Sequence, residues 1–330
     1  MPFFESKRPG KCILFFKFIQ KKGYGMPPSG KSLFWQKVTI VERKRMRKLA
    51  LSDEILMKVD KAARYIGGEV NSVMKDKNAV DIRFAMCFPD VYEIGMSNLG
   101  MMILYNMFNQ REDVWCERLF SPWPDLDKVM REEKIPLFAL ESQEPIRDFD
   151  FLGITIGYEM CYTNILQVLD LSGIPLKSAD RGEDFPIVIG GGACAYNPEP
   201  LAPFFDLFYI GEGETVYDAL FDAYKANKKA GGSRKDFLLA AAKIPGIYVP
   251  SLYEVTYKED GTIASFAPTV DDVPEKVQKQ LIIDMEKEYR AVEAPVVPHI
   301  KATQDRVTLE IQRGCIRGCR FCQAGMIYRP

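Results

Sequence analysis

From about residue 79 the chain alternates short apolar runs with amphipathic stretches, and that alternation constrains the fold more than any other feature. Strands are expected at residues 80–88, 114–120, 137–140, 151–157, 186–189 and 206–210. Helices are expected between several of them, at 162–171 and 215–226, where apolar residues recur at helical spacing. Strands alternating with helices make right-handed βαβ units, and such units build a parallel sheet covered on both faces. A near-continuous apolar run such as "PIVIG" suits the buried centre of that sheet. The expected fold class is therefore α/β: a doubly wound, Rossmann-like parallel sheet over residues 76–245.

The flanks of this region read differently. Residues 1–45 hold eleven Lys and Arg against two Asp and Glu, while the remainder holds 33 basic and 43 acidic residues. The basic excess at the start is cancelled further on, and a formal net charge of −1 argues against a chain that coats nucleic acid. This extension is either a reading frame begun too far upstream of Met46 or a disordered basic tail. Its apolar run at residues 12–19 is interrupted by Lys17, is too short to span a bilayer, and precedes no small-residue cleavage site. Residues 25–32, "GMPPSGKS", satisfy the P-loop pattern by letter, with Lys31 and Ser32 in the positions that meet a terminal phosphate and magnesium. The context opposes a nucleotide site, because the apolar run ends at Gln20 and no parallel sheet is expected before residue 80. Residues 46–75 read as a helical segment with Ser52 and Asp53 able to cap it. Residues 246–303 read as a hairpin around Asp260-Gly261 and then a Pro- and charge-rich linker. A last apolar strand is expected at 307–312.

Eight cysteines are too few and too unevenly placed for a disulfide framework. Cys12, Cys87, Cys116, Cys161 and Cys194 are scattered, whereas Cys315, Cys319 and Cys322 fall within eight residues. That pattern suits a reducing cytoplasm, where clustered cysteines more often bind metal. The text "QRGCIRGCRFCQAG" spaces the three thiols C-x-x-x-C-x-x-C, so short loops let all three sulfurs point inward to one corner of a cubane. A 4Fe–4S cluster has four irons, so three cysteines leave one iron without a protein ligand. Gly314 and Gly318 permit tight backbone, Arg317 and Arg320 set positive charge beside an anionic cluster, and Phe321 is placed to shield it. A structural zinc would need a fourth ligand, for which the nearest candidate is His299, the one histidine of the chain.

C-x-x-x-C-x-aromatic-C directly after an apolar strand resembles the signature of the radical S-adenosylmethionine (SAM) superfamily. The resemblance implies that Cys315, Cys319 and Cys322 are the cluster ligands and that SAM chelates the open iron. It implies reductive cleavage of SAM to methionine and a 5′-deoxyadenosyl radical, acting on a substrate the sequence does not name. The electron would come from a donor such as flavodoxin or ferredoxin. Residues 304–330 look like the start of the superfamily's barrel, whose other strands are absent. The chain is therefore expected to be truncated just after the motif and inactive alone.

Upstream, "ARYIGGEVNSVMKD", "CFPDVYEIGMSNLG", "DVWCERLFSPWPD", "YEMCYTNILQVLDLSGIP", "GGGACAYNPEP" and "GEGE" resemble the cobalamin-binding domain fused to many radical SAM proteins, and more narrowly an uncharacterised bacterial radical SAM family. Loops at strand carboxyl ends line the crevice of an open α/β sheet. On that ground Gly157, Tyr158 and Glu159, Gly190, Gly191 and Gly192, and Gly211, Glu212, Gly213 and Glu214 are the candidate cofactor-binding residues, with Gly211 expected to open a helix. Glycines after strands are also simply tight turns. Cobalamin domains of this kind use D-x-H-x-x-G, which is missing here, so a bound cobalamin would have no histidine ligand from this domain. The rival reading is a non-catalytic cobalamin-binding or docking module.

Overall fold

Two runs of seven residues, Ile82–Phe88 (β1) and Val114–Phe120 (β2), are buried along their whole length and pair in parallel. They belong to a computed structural model that describes residues 48–328. The basic extension, with its P-loop-like residues 25–32 and Cys12, lies outside the described residues. On the other side of β1 follow β3 (Phe151–Thr155), β4 (Ile187–Gly191) and β5 (Leu207–Tyr209), all parallel. A two-residue strand, Ile247–Tyr248 (β6), closes the far edge antiparallel, giving the order β2-β1-β3-β4-β5-β6. The protein is thus mixed α/β with a mainly parallel six-stranded sheet.

Alternate residues of each strand face opposite cores. Phe84 and Met86 of β1 join one, and Ala85 and Cys87 join the other. The first core is covered by α1 (Leu99–Gln110), whose Met101, Tyr105 and Phe108 are buried, together with α4 (Tyr217–Lys229) and α5 (Arg234–Ala241). The second is covered by α2 (Pro124–Glu133) and α3 (Tyr162–Leu171), which bury Leu126, Met130, Ile165, Val168 and Leu169. Phe84, Phe108, Phe151 and Phe221 meet edge-on or stacked at centroid separations of 5.0 to 5.9 Å in the first core. The strand order and two-sided cover are those of open doubly wound sheets, with a switch point between β1 and β3.

Several expectations need correction. The sheet is not wholly parallel: two consecutive helices, α4 and α5, return the chain to the end of the sheet it left, so β6 runs backwards. Residues 137–140 are buried but form no strand. They fold back through a single bridge from Phe138 to Pro145, and the Leu140 N–H donates to Arg118 O beyond the edge of β2. This loop covers an edge strand that would otherwise expose unpaired backbone. Of the expected helical segment 46–75, the described residues 48–75 hold one helical turn, Asp53–Leu56, capped by the Ser52 side chain, and one 3₁₀ turn, Ala62–Arg64. Positive φ at Lys61, Gly67 and Gly68 breaks any longer helix there. The hairpin is present as β7 (Tyr253–Tyr257) and β8 (Ile263–Pro268). Residues 307–312 lie in no strand, and Val307, Leu309 and Ile311 are exposed. Among the described residues nothing pairs with them, and a strand forms only with a neighbour for its backbone groups. Among the described residues no helix is long and apolar enough to cross a membrane.

β2 carries charge into the core. The Arg118 side chain, 3% exposed, donates to Glu69 at 2.8 Å and Glu141 at 2.6 Å, both fully buried. Tyr92 donates its hydroxyl to Glu69 at 2.9 Å and Tyr105 to Glu141 at 3.0 Å. Burial opposes ionisation of Glu69, but the charge and hydrogen bonds of Arg118 outweigh it and hold its carboxyl below the usual range. Removing one partner of such a set strands a buried charge. Arg118→Ala should therefore lose roughly 3–5 kcal/mol of stability, read as a fall in the urea midpoint. A midpoint unchanged from wild type would mean that the network contributes nothing to stability.

Candidate functional site

The carboxyl ends of β1, β3, β4 and β5 and the start of α1 surround a cavity of about 410 Å³. Its floor is Phe84 and Met86 of β1, Thr155 of β3 and Gly191 of β4, and Leu99, Ile103 and Leu104 of α1 form a wall. Tyr196, Tyr209 and Tyr217 supply polar rims on an apolar body. Three later segments complete the enclosure: Lys279 and Leu281, then Glu310 with residues 312–314, then Tyr328. The first of these is fixed by backbone bonds, with Gln280 N donating to Ile210 O at 3.1 Å and Glu212 N to Gln280 O at 3.0 Å.

Six of the ten expected cofactor-binding residues line this cavity: Gly191, Gly192, Gly211, Glu212, Gly213 and Glu214. Gly190 points the other way, toward the Phe208 ring. Gly157, Tyr158 and Glu159 stand outside it: Tyr158 donates its hydroxyl to the Asp90 carboxylate, and Glu159 accepts from Gln323 Nε2 at 3.2 Å. The glycines differ in what they make room for. At Gly191 a side chain would project into open space, its Cβ 3.9 Å from the Tyr217 hydroxyl. Gly211 has φ +136°, and a Cβ there would lie 2.3 Å from Gln280 O, so it admits the covering segment rather than a ligand. No helix opens at Gly211, because α4 starts at Tyr217.

Burial pushes the Tyr196 hydroxyl up to about 12, reinforced by Tyr328 and the Glu212 charge. Burial likewise raises Tyr209 and Tyr217 above the ordinary tyrosine value. All three hydroxyls therefore stay protonated at neutral pH, and Tyr209 donates its hydroxyl to Glu212 O at 2.5 Å. Arg313 is anchored by Glu310 at 2.8 Å and Glu214 at 2.5 Å, and these hydrogen bonds raise its guanidinium above its ordinary value against the opposing effect of burial.

The three clustered cysteines lie beside this rim. Cys315 and Cys319 are exposed and Cys322 is half-buried, capping the short helix α6 (Gln323–Ile327) by accepting from Gly325 N at 3.3 Å. Gly314 takes φ +82°, as the tight loop requires, whereas Gly318 takes no positive φ. Phe321 is 94% exposed and shields nothing here. Among the described residues no group of three His, Cys, Asp or Glu is gathered to hold a metal ion. The donor set nonetheless fits an iron–sulfur cluster by its chemistry: three accessible thiols on a loop with no regular structure before α6, which can close without disturbing the core. His299 bonds Gly67 O through its ring Nε2 at 3.1 Å and, among the described residues, is not gathered with the three thiols.

Sequence reasoning missed Arg313, Tyr196, Tyr209 and the covering residues 279–281. Arg313 sits next to Gly314 in the cysteine text and was readable as a charge. Lys279 and Gln280 lie in a polar linker with no local signal at all.

Gly211→Ala tests the covering segment. It combines a left-handed backbone with a clash against Gln280 O, so a stability loss of about 1–3 kcal/mol is expected in urea unfolding. A variant as stable as wild type would mean that residues 279–281 are not held against this loop.

Residues 100–250 match the family model for radical SAM proteins, N-terminal. An uncharacterized protein of Methanocaldococcus jannaschii is 26% identical over 247 residues, covering 74% of this chain and 42% of that protein, so the chain spans less than half the relative's length. Among solved structures, the radical S-adenosylmethionine methyltransferase TsrM from Kitasatospora setae, with tryptophan substrate and a SAM analog bound, is 15% identical, covering 54% of this chain and 29% of that one at a TM-score of 0.30. The same enzyme with cobalamin and a [4Fe-4S] cluster bound is 13% identical, covering 59% and 32%, again at 0.30. At that score neither superposition decides anything about this fold. Over residues 100–250 the chain is thus similar to the N-terminal domain of radical SAM proteins.

Proposed function

We propose that this chain supplies the N-terminal domain and the cluster loop of a radical SAM iron–sulfur enzyme. The single observation that carries the reading is the set Cys315, Cys319 and Cys322, one thiolate short of a closed cluster, on the loop that follows Gly314, which lines the crevice at the strand carboxyl ends. When bound there, a 4Fe–4S cluster supplies the electron that cleaves SAM reductively. The chain's own contribution is positional: the cysteine loop presents three thiols, and Arg313 fixes its approach. Residues 76–245 are the cofactor-type domain in this reading, 246–303 the hairpin and linker, and 304–330 the opening of the catalytic domain. A small electron carrier of the flavodoxin or ferredoxin kind is the natural reductant, and a reducing cytoplasm suits seven free thiols among the described residues.

The cavity is offered as the cofactor site of the domain, with cobalamin as the first candidate. His299 does not line it, so cobalt would have no imidazole from this chain. Protonated Tyr196 at the rim would donate to a polar group of the ligand, and Gly191 leaves the floor open. A second reading, a non-catalytic binding module, is favoured by one observation: the described residues enclose the cavity, while the three thiols are not gathered.

Anaerobic reconstitution should load about four irons per chain with a broad brown absorption, and Cys319→Ala should abolish it. Stoichiometric zinc without sulfide would sink the cluster reading. Addition of dithionite and SAM separates the two functions. Abundant 5′-deoxyadenosine from the longer protein and little from these 330 residues supports the enzyme, and none from either supports the module. Gly191→Trp should fill the cavity and weaken cobalamin binding at least tenfold in a spectroscopic titration, with the unfolding midpoint little changed. Equal binding by wild type and variant would remove the cavity from the cofactor site.

A further inference from the structure

Arg313 precedes Cys315 by two residues, and its guanidinium is held by one neighbouring carboxylate, Glu310, and by two from a distant loop, Glu212 and Glu214. Its Nε and Nη2 donate to Glu310 at 2.8 Å each, Nη2 also donates to Glu214 at 2.5 Å, and Glu212 stands 3.7 Å from Nη1. None of these four side chains is more than 18% exposed. Glu214 and Glu212 belong to the loop after β5, so they are fixed by the sheet, and Glu212 is fixed further by the Ile282 N–H at 2.5 Å. The far end of the cysteine loop is fastened as well. Gln323 donates to Glu159, and Lys279 Nζ donates to Ile327 O at the end of α6 while stacking over the Tyr196 ring at 5.3 Å.

We infer that Arg313 is the positioning residue of the cysteine loop, and that Glu212 and Glu214 are its docking partners rather than ligands of a cofactor. The guanidinium fork engages two carboxylates at once, a geometry that a lysine cannot reproduce. Fastening both ends leaves residues 315–322 to close around their ligand from a fixed starting place at the cavity rim, which reduces the conformational freedom lost on closure. This role rests on the reading that the three thiols hold a cluster.

Two measurements on the 330-residue chain test it. Tryptic cleavage at the exposed Arg317 and Arg320, followed by mass spectrometry, reads the tether without any cluster. Glu214→Gln with Glu310→Gln keeps every cleavage site and should speed cutting there by about tenfold, the change expected from losing charge-assisted hydrogen bonds. After anaerobic reconstitution, iron should pass to a chelator faster by a similar factor in this double variant and in Arg313→Lys, with the urea midpoint unmoved. Unchanged cleavage and unchanged iron loss would overturn the proposal. Faster cleavage with no iron uptake by wild type would instead overturn the cluster reading and, with it, the positioning role, leaving a structural tether.

Discussion

Arg118 and its two buried carboxylates hold together three parts of the chain that are distant in sequence. Glu69 comes from the segment before the sheet, Arg118 from the edge strand β2, and Glu141 from the loop that covers that edge. The tyrosines extend the set. Tyr105 accepts from Val73 N at 2.8 Å, and Tyr92 accepts from His299 N at 3.3 Å. The same core thus anchors the stretch that leads toward the cysteines. Thr303 N donates to Glu93 O and Gln304 N to Ser97 Oγ, carrying that stretch along the loop that precedes α1. Desolvating these charges is expensive, and only the full complement of partners offsets it. The network therefore favours one arrangement strongly over alternatives that leave a charge unpaired.

That arrangement bears directly on the site. A doubly wound sheet concentrates loops at its strand carboxyl ends, and the anchored later segments bring Glu310, Arg313 and Tyr328 to the same rim. The cavity is made by four strands, the starts of the two helices α1 and α4, and three segments distant in sequence. Its body is apolar and its rim carries protonated tyrosines, a lysine and one arginine facing three carboxylates. The acidic residues face the arginine rather than open space, so the site as a whole presents donors and apolar surface to a ligand.

The strand and helix pattern was legible to a useful degree because periodicity is a local property. β2 and α3 coincide with the expected 114–120 and 162–171, and the other strands differ by a few residues at their ends. Residues 137–140 look like a strand for the same reason that they are buried: they are apolar. Their backbone, however, turns back on itself, and composition carries no trace of that turn. Residues 46–75 have helical spacing, but the one α-helical turn ends at Leu56, and positive φ at Lys61 and Gly67 bars a continuous helix beyond it. The run at 307–312 is apolar and alternating, and without a neighbour it forms no ladder.

By itself the sequence determined the α/β class, the three-thiol spacing and the loops at which a crevice would open, since each depends on residues close in the chain. It also determined that His299 is the one histidine of the chain, so no imidazole of the D-x-H-x-x-G kind is available. Tertiary structure decided which loop residues share a cavity. Gly157, Gly190, Gly191 and Gly211 look alike as text, yet one opens into the cavity and another admits Gln280, because what a missing side chain makes room for is set by chains packed from elsewhere. It also decided the partners of Arg313, whose carboxylates at Glu214 and Glu310 come together only when the end of β5 and the stretch before the cysteines are folded against each other.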